Sequence, residues 1–162
     1  MSSINGLPAH VLLVHLIVVL VPLTAVLAIL AAVWPAARRR LVWLVLALAA
    51  LVVVATPVTT DAGEWLEKRI PRSPALHNHT HLGDTMIYFA LPLLVVAILL
   101  AVLHRRESRG HTPSRLLAGA LAVLTIAVGT AATVQVYRIG ESGAQSTWNG
   151  VADQAPLPRS KG

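Results

Sequence analysis

Four apolar runs, each long enough to cross a bilayer, decide what this chain can fold into. A hydrocarbon core about 30 Å thick takes roughly 20 helical residues. The runs cover residues 9–34, 41–60, 84–104 and 115–138. Each is apolar on every side and none alternates strictly, so a closed β-barrel does not fit. Charged residues make up 12% of the 162, against 56% hydrophobic. Soluble domains carry about a quarter charged residues, so an ordinary water-soluble enzyme is excluded. The lack of cysteine excludes a disulfide scaffold and a thiolate zinc site. The expected fold is an all-α integral membrane protein: one four-helix bundle over 1–143, then a flexible Gly/Ser/Pro-rich tail over 144–162. No Lys or Arg precedes the first run, which is also too long for the apolar core of a signal peptide.

Charge gives the expected orientation. Arg38, Arg39 and Arg40 follow the first span, and Arg105, Arg106, Arg109 and Arg115 lie between the third and fourth. With the single acid Glu107 among them, these two segments hold the whole net charge of +6. Short Arg-rich loops stay in the cytoplasm, so loops 35–40 and 104–115 are placed inside and both termini outside. That makes the expected location a cytoplasmic membrane. The basic charge is explained by the lipid bilayer and calls for no nucleic acid. Trp34 and Trp43 suit an aromatic belt at the inner interface. His104 and His111, in the inner loop, are expected to be solvated.

The opposite ends of the spans share a polar layer. At 1.5 Å per residue, His15 and His10 lie about 29 and 36 Å above Trp34. Asp61 and Glu64 lie about 30 and 35 Å above Leu41. Asp84, His81 and His79 lie about 30, 35 and 38 Å above His104. Gln135 lies about 30 Å above Arg115, with Arg138 and Glu141 at about 35–39 Å. Spans two and three are expected to continue outward as helices. The turn falls at about 70–73, with Ser73 as N-cap and Pro74 as first helical residue. Antiparallel pairing about that turn sets Glu64 near His79.

Imidazole is a proton carrier and a ligand for metals and haem iron. His10 and His15 are about 140° apart on a helix and do not easily share one ligand. Of His77, His79 and His81, only His77 and His81 share a helical face. Asp61, Glu64 and Asp84 could orient a histidine ring. Glu64 and Glu67 could instead pair with Lys68, Arg69 or Arg72 at the surface, and Arg138 with Glu141. Pro22 and Pro92 fall inside spans and predict kinks. The small residues of the fourth span suit close helix packing and are also compatible with a homo-oligomer.

Four motifs resemble a bacterial membrane family known as domain of unknown function 2231. They are Gly6-Leu7-Pro8-Ala9-His10 with His15 following, Thr59-Thr60-Asp61-Ala62-Gly63-Glu64, His79-Thr80-His81-Leu82-Gly83-Asp84, and Tyr137-Arg138-Ile139-Gly140-Glu141-Ser142-Gly143. The family pattern places His where Glu141 stands here. The resemblance implies a small four-helix module and carries over His10, His15, Glu64, His79, Gly83, Arg138 and Gly140. Relatives occur beside electron-transfer domains, which implies redox chemistry.

Three functional expectations follow. The first is haem b held by His79 with His10 or His15, Arg138 pairing with a propionate and Glu64 orienting His79, in electron transfer to a redox or membrane-complex partner. The second is a transition-metal ion, zinc or copper, held by His77, His79 and His81 with Asp61 and Glu64. The third is a structural or accessory subunit without cofactor. A stand-alone enzyme is not expected, since no nucleotide loop or nucleophile triad is present.

Overall fold

The computed structural model describes residues 3–4, 7–148, 150–151 and 153. Two short strands, β1 (Ser3–Ile4) and β2 (Leu7–Pro8), pair antiparallel with Ile4 opposite Leu7. Five helices follow: α1 (Ala9–Val33), α2 (Pro35–Glu67), α3 (Pro74–Asp84), α4 (Ile87–Ser108) and α5 (Arg115–Trp148). With α3 and α4 taken as one interrupted rod, four rods are long and apolar enough to cross a membrane. The expected all-helical bundle is therefore present, preceded by the small hairpin.

Local chemistry sets the boundaries. Pro35 fits the first turn of α2, where no N–H is required, so one residue, Trp34, separates α1 from α2. Arg38, Arg39 and Arg40 consequently stand in the first turns of a helix, not in the loop expected at 35–40. Ser73 caps α3 as the sequence predicts: its hydroxyl accepts from the Leu76 N–H at 3.1 Å. Gly110, at φ 82°, ends the turn after α4 in the left-handed region that favours glycine. Ser114 then caps α5, accepting from the Leu117 N–H at 3.2 Å.

The break between α3 and α4 is held from across the bundle. The Thr85 hydroxyl donates to the Leu82 carbonyl at 2.7 Å. The buried Gln135 amide of α5 donates to that hydroxyl at 2.8 Å and to the Leu82 carbonyl at 3.3 Å. A polar group in an apolar interior must find such partners.

Helix α5 runs past residue 143, the expected end of the bundle, to Trp148. Its buried residues Ile139 and Ser142 face α3, and Ser146 and Thr147 donate back to the Gly143 carbonyl. That docking outweighs the Gly/Ser-rich composition. Most of the expected tail, 154–162, lies outside the described residues.

The rods form a square in which α1 and α4 each touch both α2 and α5, and also meet one another across the centre. Small residues allow close approach. A Cβ on Gly129 of α5 would lie 3.2 Å from the Ala25 Cβ of α1. Many large apolar side chains face outward, among them Val19, Val54 and Val123. Pro22, Pro57 and Pro92 all lie inside helices.

The arginine-rich end is closed by one buried clasp. Arg38 is 3% exposed. Its guanidinium grips Glu107 of α4 through two bonds, of 3.0 and 2.6 Å, and donates to the Ala31 and Ala32 carbonyls at the end of α1. Nearby, His104 departs from the expected solvated state. It belongs to α4, packs edge-on to Trp43 at 6.3 Å, and its buried Nδ1 has no partner among the described residues. Trp34 and Trp43 are both exposed, and the Arg105 guanidinium lies 5.1 Å from the Trp43 ring.

Candidate functional site

At the opposite end two imidazoles meet. His10 stands in the first turn of α1, and its phase puts it on the stripe that continues through buried Ile17, Val21 and Thr24. Its Nδ1 lies 3.0 Å from the Thr59 carbonyl of α2. A carbonyl only accepts, so Nδ1 carries the proton. His79 of α3 mirrors this: its Nδ1 lies 3.1 Å from the Ile139 carbonyl of α5 and 3.1 Å from the Ser142 hydroxyl. That hydroxyl donates to the same carbonyl at 2.8 Å, so its oxygen is free to accept from His79. The two ring centroids are 6.2 Å apart, with planes at 77°.

Both rings are thus fixed in the Nδ1–H tautomer. Each Nε2 keeps its lone pair in the neutral form and has no hydrogen-bond partner among the described residues. A partner on one ring nitrogen that orients the other is how proteins prepare histidine ligands. His79 lies beyond the apolar stretch of its rod. Burial, and then the facing His10 ring, hold its imidazole below the ordinary value, against an upward pull from the Ile139 carbonyl. The ring is held neutral, the form that ligates.

Each ring also lies against a helical glycine. A Cβ on Gly63 would come within 3.0 Å of the His10 Cε1 and Nδ1. A Cβ on Gly143 would come within 3.0 Å of the His79 Cε1 and 3.3 Å of its Nδ1. Such contacts are too close for a side chain to be added without moving the ring.

The other expected residues stand apart from this pair. His15 is exposed, its Nδ1 turned to the Val11 carbonyl of its own helix. His77 and His81 are exposed, on a different side of α3 from His79. Asp61, Glu64 and Asp84 are exposed, and none hydrogen-bonds a histidine among the described residues. The expected orientation of His79 by Glu64 is replaced by Ile139 and Ser142, because the inward side of α3 meets α5. Arg138 and Glu141 are also exposed and unpaired with each other: the buried stripe of α5 runs through Gln135, Ile139 and Ser142 and turns both outward. Among the described residues the one salt bridge is Arg38 to Glu107, and Arg69 lies instead over the Trp65 ring at 3.7 Å. No three His, Asp or Glu side chains among the described residues converge to hold a metal ion.

Thr59, Gly63, Ile139, Ser142 and Gly143 stand in the motifs that carry the family resemblance, yet the sequence assigns none of them a role. The available signal is that both glycines fall inside those motifs, within otherwise helical runs.

These residues all fall within one family match. The family model described as "Predicted membrane protein (DUF2231)" matches residues 6–155. The chain belongs to this family. No curated protein and no solved structure matches it. As a DUF2231 protein with four apolar rods, it contacts the lipid bilayer directly, and its paired imidazoles sit at one end of those rods.

Proposed function

We propose that this DUF2231 protein carries electrons at the membrane surface through haem b bound by His10 and His79. The observation that carries this reading is the matched hydrogen bonding of the two rings. Each Nδ1–H is committed to a carbonyl of another helix, which leaves two ligand-ready Nε2 atoms on rings whose centroids are 6.2 Å apart.

The donor set fits haem better than a bare ion. Structural zinc takes four protein ligands and catalytic zinc three. Haem iron takes its equatorial nitrogens from the porphyrin and needs the protein only at its axial positions. Bound haem would supply one-electron chemistry. The chain's part is to orient both imidazoles through their Nδ1–H groups. Arg138, exposed at the same end, is suited to a propionate. In this reading the protein serves a redox partner rather than a soluble substrate.

The test is the visible spectrum of protein purified from a haem-replete host, together with metal analysis. A Soret band at about one haem per chain is expected. Colourless, metal-free protein would overturn the proposal and favour a cofactor-free structural subunit.

A second reading has its own support. A recess of about 330 Å³ at the α2–α3 turn is lined by Glu67, Arg72, Ser73, Leu76 and His77. A zinc or copper ion taken up from outside would engage His77 and Glu67 there, with His81 one helical turn further along α3, without haem.

The site belongs outside in this proposal, with the arginine-rich end in the cytoplasm of a bacterial cell. The chain has no cysteine, so Ser108→Cys, at the exposed end of α4, gives a clean probe. It is expected to react with an impermeant maleimide only after the cells are opened. Labelling of intact cells would reverse the orientation.

A further inference from the structure

The two halves of the bundle repeat each other. Every buried residue of α5, from Thr125 to Ser142, lies a constant distance (139 − 59 = 80) after a buried residue of α2, from Val45 to Ala62. The α3–α4 rod repeats α1 in the same way (79 − 10 = 69). Six buried α1 residues between Ile17 and Ala32 fall on buried residues between Met86 and Ala101. Pro22 and Pro92 fall one residue out of that register. Contacts obey the same exchange: α1 packs on α5 as α4 packs on α2, and α1 meets α4 at the centre.

The histidine end follows this rule at the carbonyl and the glycine, while Ser142, which also accepts from His79, stands where the first half has Ala62. The His10 Nδ1 bonds the Thr59 carbonyl, and its ring lies on Gly63, four residues on. The His79 Nδ1 bonds the Ile139 carbonyl, and its ring lies on Gly143, four residues on. In a helix each of these carbonyls also accepts from the N–H of that same glycine. The missing side chain leaves the room in which the imidazole reaches the shared carbonyl. An exposed acid follows two residues after each carbonyl, Asp61 in one half and Glu141 in the other. The arginine-rich end breaks the rule, since Ala118 stands where the repeat would place a second Arg38.

We infer that the protein is two copies of one helical hairpin related by a pseudo-twofold axis along the bundle, that His10 and His79 are equivalent half-sites facing across it, and that Gly63 and Gly143 are their positioning residues. Membrane proteins built from parallel repeats have such an axis along the membrane normal. Both hairpins run in the same direction, so this is the parallel case. A ligand on the axis is held by two equivalent nitrogens, and one serves the whole chain. That last consequence rests on the paired-imidazole reading; the equivalence of the half-sites does not.

The test is nitrogen NMR of full-length, ligand-free protein labelled at histidine. His10 and His79 are expected to show the same Nδ1–H tautomer. Gly63→Ala is expected to abolish that signature at His10, and Gly143→Ala at His79. Gly119→Ala, whose added methyl meets nothing within 4 Å, is expected to change neither. Different tautomers in the unsubstituted protein would overturn the inference even if no variant folded. So would a His10 signature that survives Gly63→Ala. Colourless protein with matched tautomers would refute haem binding and leave the repeat standing.

Discussion

Arg38→Met is expected to be the most destabilising single substitution in the chain, at about 3 kcal/mol or more. Removing one member of a buried ion pair costs about 3–5 kcal/mol, because the other charge remains without compensation. Glu107 keeps 25% of its side-chain surface exposed, so water recovers part of the loss and the lower end applies. Two further acceptors are orphaned, the Ala31 and Ala32 carbonyls. These are among the last carbonyls of α1, which have no partner within the helix. One guanidinium therefore joins α1, α2 and α4 at a single point. Methionine keeps much of the length and the apolar packing, so the measured change isolates the polar loss. Unfolding in detergent would measure it. Glu107→Gln should cost less, since an amide oxygen still accepts from the guanidinium. A double-mutant cycle should show coupling between the two positions. A cost for Arg38→Met under about 1 kcal/mol, the range of exposed pairs, would show that the clasp is not closed in the membrane.

Arg38 also shows where legibility in the sequence ends. The four spans are plain because apolarity over some twenty residues is a property of composition. Which of three consecutive arginines turns inward is a property of helical phase. That phase is fixed by Pro35, which starts α2 early enough to put Arg38 on the stripe of Val42, Val45 and Ala49. Read as a loop, the triplet shows three equal charges.

The same holds at the other end. His10 and His15 are equivalent until α1 acquires a core-facing stripe, and only His10 lies on it. Counting residues across the turn pairs Glu64 with His79 only if two helices face each other as paired strands do. Helices pack by faces, and the inward face of α3 meets α5. The outer polar layer was thus legible as a height along the bundle. Its wiring, through the Thr59 and Ile139 carbonyls and the two glycines, depends on main-chain positions that no side chain announces.

His10→Ala and His79→Ala are each expected to abolish haem binding, and this pair of results separates the functional readings most sharply. Outer groups that merely orient a ligand typically contribute 10–100-fold in affinity. Loss of an axial nitrogen should exceed that, and the Soret band should disappear from purified protein. Ser142→Ala, which removes one of two acceptors on the His79 Nδ1, should weaken binding by about tenfold and leave the band in place. His15→Ala should change nothing, because that ring is exposed and turned to its own helix. The double substitution of His77 and His81 should also leave haem intact. If bound zinc or copper falls with His77 and His81 instead, the site lies on the exposed side of α3. If no variant changes any bound species, the rings serve as struts. His79→Ala should then act on stability alone: α3 fully buries no residue, and His79 ties it to α5 alongside the Gln135–Leu82 bond. Loosening of α3 without loss of colour or metal would assign the pair to architecture.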